Sequence, residues 1–180
     1  LLELVKEDAL GYLLKMQEQP VSIDPELDLP EGQALPDIGW GVENVLALFK
    51  EQWTPHLVGS SGPRYLGFVT GGVTPAALAG DWLTTVWDQN TQAIKGQGDM
   101  SARLDIVTAR LIRELLGLPE DFMGGFVTGA TMSNFTCLGT ARQWWGQQKG
   151  LNIAMDGLKE TIPVMSATAH SSSIKCLSML

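Results

Sequence analysis

Apolar positions along most of the chain recur at helical spacing, and prolines and glycines mark where each helix must end. Leu2, Val5, Ala9, Leu13 and Met16 share one face of a first helix that ends near Gln19, leaving Lys6, Glu7, Lys15 and Glu18 for solvent. Pro20, Pro25, Pro30 and Pro36, mixed with Asp and Glu, forbid a regular element and predict an extended connector. Val42, Val45, Phe49 and Trp53 mark a second helix. It stops at Thr54 and Pro55, because the residue before a proline is pushed out of the helical region. Residues 60–72 hold too many glycines and turn formers for a helix and read as a loop with a short extended piece. Thr74 followed by Pro75 is a capping residue with proline at the first helical position, so a third helix runs from 75 to about 89. Asp99 or Ser101 opens a fourth, with Leu104, Val107, Leu111 and Leu115 on one face and Gly117 then Pro119 ending it.

The last third alternates. Phe126, Val127 and Thr128 form a short β-rich run, residues 132–147 are helical with Phe135, Leu138 and Trp145 inward, and 162–166 read as a second strand entered by Pro163. Another helix starts near Ser172. Strand, helix, strand, helix implies parallel pairing with a right-handed crossover, so the expected fold class is α/β with a mainly parallel sheet. The expected organisation is a helical arm and Pro-rich linker over 1–57, followed by the incomplete start of a larger domain over 58–180. No internal repeat is visible.

Composition narrows the classes of function. The chain has 180 residues, 44% hydrophobic and 18% charged, enough to bury a core. Its apolar stretches are broken well before the roughly 18 residues that a membrane span requires. The first residues carry Lys6, Glu7 and Asp8 and lack a basic leading region, so they are not a signal peptide. Net charge is −8, and the twelve basic residues form no cluster, which argues against nucleic acid. Cys137 and Cys176 sit in apolar helical stretches and read as small buried thiols; a cytoplasmic location is expected. The chain starts at Leu1 and stops at Leu180 inside an apolar run, as a piece of a longer protein would.

Two segments carry candidate chemistry. Thr128-Gly129-Ala130-Thr131-Met132-Ser133-Asn134 stands where the first strand hands over to a helix. Small residues let the backbone close on a ligand, first-turn amides favour an anion, and the Thr131 hydroxyl adds a hydrogen bond. Read alone, the same residues also make an ordinary capped turn. Ala167-Thr168-Ala169-His170-Ser171-Ser172-Ser173 follows the second strand, which would bring His170 to the same sheet edge as Thr131. A lone histidine is more often structural, and His56 beside Pro55 is read that way. The tryptophans at 40, 53, 82, 87, 144 and 145 read as packing residues, and no His or Cys group has metal-ligand spacing.

The first of these segments resembles the T-x-G-G-T-x-[SA]-N phosphate loop of fold-type I pyridoxal-phosphate enzymes. Ser166, Ala169, His170, Ser171, Ser172 and Lys175 resemble the stretch whose histidine stacks on the cofactor ring in the group II amino-acid decarboxylases. Arg64-Tyr65-Leu66-Gly67-Phe68 and Thr74-Pro75-Ala76-Ala77-Leu78-Ala79-Gly80-Asp81 are similar to that family's upstream block. Three blocks in the family's order imply the N-terminal part of a fold-type I large domain. They imply pyridoxal 5'-phosphate as cofactor, with Ala130 and Thr131 at its phosphate and His170 against its ring, and Tyr65 and Phe68 as pocket walls. They also imply decarboxylation of an L-amino acid by a homodimer, the piece alone being inactive. Ala130 stands where glycine or serine is common, and Gly62 where many relatives have histidine. The resemblance makes Lys175 structural and places the cofactor lysine and the ring-nitrogen aspartate downstream of Leu180. Transamination, carbon-carbon lysis, or a non-covalent phosphate-binding α/β module are the alternatives.

Overall fold

The computed structural model describes residues 1–24, 34–89 and 100–180. Asp99, Pro25 and Pro30, used above to place a helix start and the connector, lie outside these residues. Among the described residues every regular element is a helix: α1 (Leu2–Leu14), α2 (Val42–Gln52), α3 (Pro75–Trp87), α4 (Ser101–Leu115), α5 (Ala130–Gln148), α6 (Ile153–Asp156) and α7 (Ser171–Met179). Short 3₁₀ turns follow α1 at Met16–Glu18 and α2 at Thr54–His56. The chain divides into two compact units, Leu1–Asp88 and Gln89–Leu180.

The helix boundaries follow local chemistry. Thr74 caps α3, its side chain accepting from the Ala77 amide at 3.2 Å, and Pro75 fills the first helical position where no donor is needed. Helix α4 ends because Gly117 turns left-handed at φ 63°, which lets the Leu118 amide reach back to the Arg113 carbonyl at 3.1 Å. In the first unit, the Lys50 ammonium of α2 pairs with the Asp8 carboxylate of α1 at 2.6 Å. The Gly59 amide there donates to the Pro20 carbonyl at 2.8 Å. That approach is close enough that a Cβ on Gly59 would come within 2.8 Å of the Gln19 Cβ. A Cβ on Gly62 would stand 3.1 Å from the Gly59 carbonyl oxygen and 3.2 Å from Met16. Glycine at 62 therefore has a packing reason of its own.

The expected α/β fold with a mainly parallel sheet is overturned: no strand is present among the described residues. Residues 126–128 and 162–166, read above as strands, are irregular. β-branched and aromatic residues show only that side chains would suit a pleated surface; a strand exists when a neighbour completes its hydrogen-bond ladder. Here one run is three residues long beside Gly124, Gly125 and Gly129, and the other carries Pro163, which has no amide to donate. A single pair of such runs is marginal even when aligned. Phe126, Val164 and Met165 are exposed, Met165 almost fully at 97%.

The second unit is held by α5. Ile153 of α6, 2% exposed, packs on Gly146, and the Leu151 amide donates to the Gly146 carbonyl at 2.9 Å. A Cβ on Gly146 would lie 2.5 Å from Ile153 Cγ1. Helix α7 packs along the other part of α5. Asn134 meets Ser172 near both helix starts, and Leu180 lies against Gly139 further along, so α5 and α7 run in the same sense with their N-termini together. No helix among the described residues is long and apolar enough to cross a membrane.

Candidate anion and ring-binding site

Helix α5 opens at Gly129, whose φ of 156° and ψ of 174° lie in a region essentially reserved for glycine. Nothing lies within 4 Å of where a Cβ would stand, so there is open space beside the first turn. Ser133 is the first residue whose amide bonds back, to the Gly129 carbonyl at 3.0 Å. The amides of Ala130, Thr131 and Met132 therefore have no acceptor inside the helix. No side chain caps this end and no acidic residue occupies its first turn. Three converging N–H groups, the positive end of a 19-residue helix and the exposed Thr131 hydroxyl favour an anion.

His170 is the N-cap of α7. Its Nδ1 accepts from the Ser172 amide at 3.1 Å and lies 2.8 Å from the Ser172 hydroxyl. Asn134, on the second turn of α5, donates from Nδ2 to Ser172 Oγ at 3.0 Å. One turn on, the fully buried Cys176 thiol donates to the Thr131 carbonyl at 3.3 Å. Thr131 and His170 are thus tied to one end of the α5/α7 pair, rather than to a sheet edge. The His170 ring remains exposed, with Nε2 and its faces clear of the bonds at Nδ1.

Pyridoxal phosphate needs an anion cradle and a flat contact for its ring. The α5 terminus fits the first, since it has free amides, open space at Gly129 and no competing carboxylate. Ala130 contributes an amide and no hydroxyl. The exposed His170 imidazole fits the second. Lys175 is exposed on α7. Tyr65 and Phe68 lie in the first unit, whereas Ala130, Thr131 and His170 lie in the second. Phe68 is 92% exposed, and both it and Val69 have positive φ, 51° and 55°.

Asn134 and Ser172 carry no individual role in the sequence, and Cys176 only that of a small buried thiol. Asn134 stands three residues after Thr131, a spacing that puts both on one face of a helix, and Ser172 stands where a cap's acceptor finds its amide. Those signals were local; the contact between the two helices was not. Of the cysteines, Cys176 is buried and Cys137 exposed, and both are free. Lys149 lies 4.3 Å over the Trp145 ring, giving that tryptophan a basic neighbour. A cavity of about 840 Å³ borders α5 and α7, lined by Leu138, Trp145, Ile162, Val164, Leu177 and others, but Ala130, Thr131 and His170 do not line it. Among the described residues no group of His, Cys, Asp or Glu is placed to hold a metal.

No family model matches the chain. Over 138 residues it is 24% identical to an aromatic-L-amino-acid decarboxylase of Bacillus atrophaeus, a match covering 74% of this chain and 28% of that protein. The chain therefore spans little more than a quarter of the length of this relative. The similarity is distant.

Proposed function

We propose that this chain supplies the phosphate cradle and the ring-stacking histidine of a pyridoxal-phosphate-dependent enzyme that decarboxylates an L-amino acid. The observation that carries the reading is the tie between the uncapped α5 terminus and His170 through Asn134 and Ser172. The distant similarity to an aromatic-L-amino-acid decarboxylase supports the same reaction class.

In this reading the amides of Ala130 and Thr131 and the Thr131 hydroxyl hold the cofactor phosphate, with the α5 dipole adding to the attraction. His170 lies against one ring face and excludes water there. When bound, the cofactor supplies an electron sink for the pair released as the carboxylate leaves as carbon dioxide. Tyr65 and Phe68 are proposed as pocket walls, and the working unit as a homodimer.

The test uses the protein expressed from its complete gene, supplied with pyridoxal phosphate and offered aromatic, acidic and diamino L-amino acids. Carbon dioxide and the matching amine are expected from one class. Borohydride reduction followed by peptide mapping is expected to label a lysine other than Lys175. A label on Lys175, amino transfer without carbon dioxide, or a cofactor removed intact by dialysis after borohydride would each overturn the reading.

A further inference from the structure

We infer that Asn134 is a positioning residue that acts through the Ser172 hydroxyl to reinforce the tautomer of His170 that the Ser172 amide selects, with the proton on Nε2, and to hold the ring's orientation. The consequence for catalysis rests on the stacking role proposed above; the hydrogen-bond argument does not.

The directions of the bonds follow from one fixed donor. The Ser172 backbone N–H can only donate, and it points at His170 Nδ1 at 3.1 Å. Nδ1 must therefore present a lone pair, and the ring proton of the neutral form sits on Nε2. Ser172 Oγ is 2.8 Å from the same nitrogen, and with no hydrogen on Nδ1 the hydroxyl must donate its own. That leaves Oγ only lone pairs to offer Asn134, 3.0 Å away, so the Asn134 atom facing it must be the amide nitrogen. Every hydrogen along the line points one way, from Asn134 to Ser172 to His170.

A hydrogen on Nδ1 would forfeit the bond from the Ser172 amide, but a serine hydroxyl free to rotate among its staggered positions could still accept from it and offset part of that loss. Asn134 narrows that choice by occupying one of the two Oγ lone pairs, which leaves fewer hydroxyl rotamers able to accept from Nδ1. It is half-buried on α5, as Ser172 is on α7, whereas the ring at the end of the line is exposed. A ring turned over by half a revolution would set a C–H against two donors, so the same bonds also lock its plane. A side chain proposed to stack needs that lock, because an exposed imidazole otherwise samples both orientations.

The experiment takes the protein from its complete gene with ¹⁵N-labelled histidine, the His170 signals being assigned by their loss in His170→Gln. Spectra are recorded near pH 8.5, well above the usual imidazole range of about 6.5. The Nε2–H form is expected to dominate in the native protein. Asn134→Leu should lower the ratio of Nε2–H to Nδ1–H about fivefold, the change that one hydrogen bond of ordinary strength supplies. Asn134→Asp should lower it further, because a carboxylate draws the Ser172 hydrogen to itself and turns the Oγ lone pair toward Nδ1. Ser172→Ala should resemble Asn134→Leu, and Ser172→Thr, which keeps the hydroxyl, should resemble the native protein. An unchanged ratio in folded Asn134→Leu and Asn134→Asp overturns the inference, as does a Ser172→Thr spectrum matching Ser172→Ala. Cofactor uptake and carbon dioxide release, measured on the same samples, report on the decarboxylase reading separately, since the tautomer ratio is read without either.

Discussion

At Gly146 a single hydrogen atom decides whether α6 can pack. Ile153 occupies the space a methyl group would need, so Gly146→Ala should destabilise the second unit by about 1–3 kcal/mol, the usual cost of overpacking. This loss should exceed the gain of about 0.5–1 kcal/mol that alanine brings inside a helix. A lower midpoint in denaturant at unchanged slope would show it. Ala130 offers a test in which stability and binding move in opposite directions. A carboxylate in the first turn of α5 interacts favourably with the helix dipole, yet it repels an anion at the same place. Ala130→Glu should therefore leave the fold as stable or slightly more so while weakening pyridoxal-phosphate affinity about tenfold, as a titration of the protein expressed from its complete gene would record. Equal affinity in the variant would place the phosphate elsewhere.

Among the elements, helix ends were the most legible feature of the chain, because capping is short-range. The Thr74 and Pro75 pair located the start of α3, and Gly117 the end of α4, from residues within one turn of each boundary. Thr74→Ala should cost about 1 kcal/mol and should speed hydrogen exchange at the Ala77 amide that the threonine now receives. The strand readings failed for the converse reason. Residues 126–128 and 162–166 have strand-like composition, but pairing depends on a neighbour that composition does not specify. The short helix α6 was not foreseen, since four residues after Asn152 hold no periodicity to detect; its existence depends on Gly146 receiving Ile153.

Taken as a whole, the chain leaves much apolar surface uncovered. Ile153 and Cys176 are the buried hydrophobic residues among those described, while Leu104, Leu111 and Leu115, the stripe that made α4 so readable, are exposed. In α1, Leu2, Leu4, Leu10 and Leu14 are exposed as well. Exposed apolar side chains in such number ordinarily mark interaction surfaces. The proposed homodimer predicts that the protein from its complete gene sediments at twice its monomer mass. It further predicts that Leu4→Glu together with Leu10→Glu shifts it toward monomer at micromolar concentration. A native monomer at that concentration would remove the dimer from the proposal.

The sequence by itself determined the principal helices and most of their ends, because turn-to-turn contacts and caps are made between residues a few positions apart. It also singled out the segments around Thr131 and His170 as candidates, since small residues, a capping position and an imidazole are properties of residue type. Only the tertiary structure decided that the β-rich runs stay unpaired, because a strand is defined by its neighbour's hydrogen bonds. Only it joined Asn134 to Ser172, across 38 positions of sequence, and so linked the histidine that caps α7 to the second turn of α5.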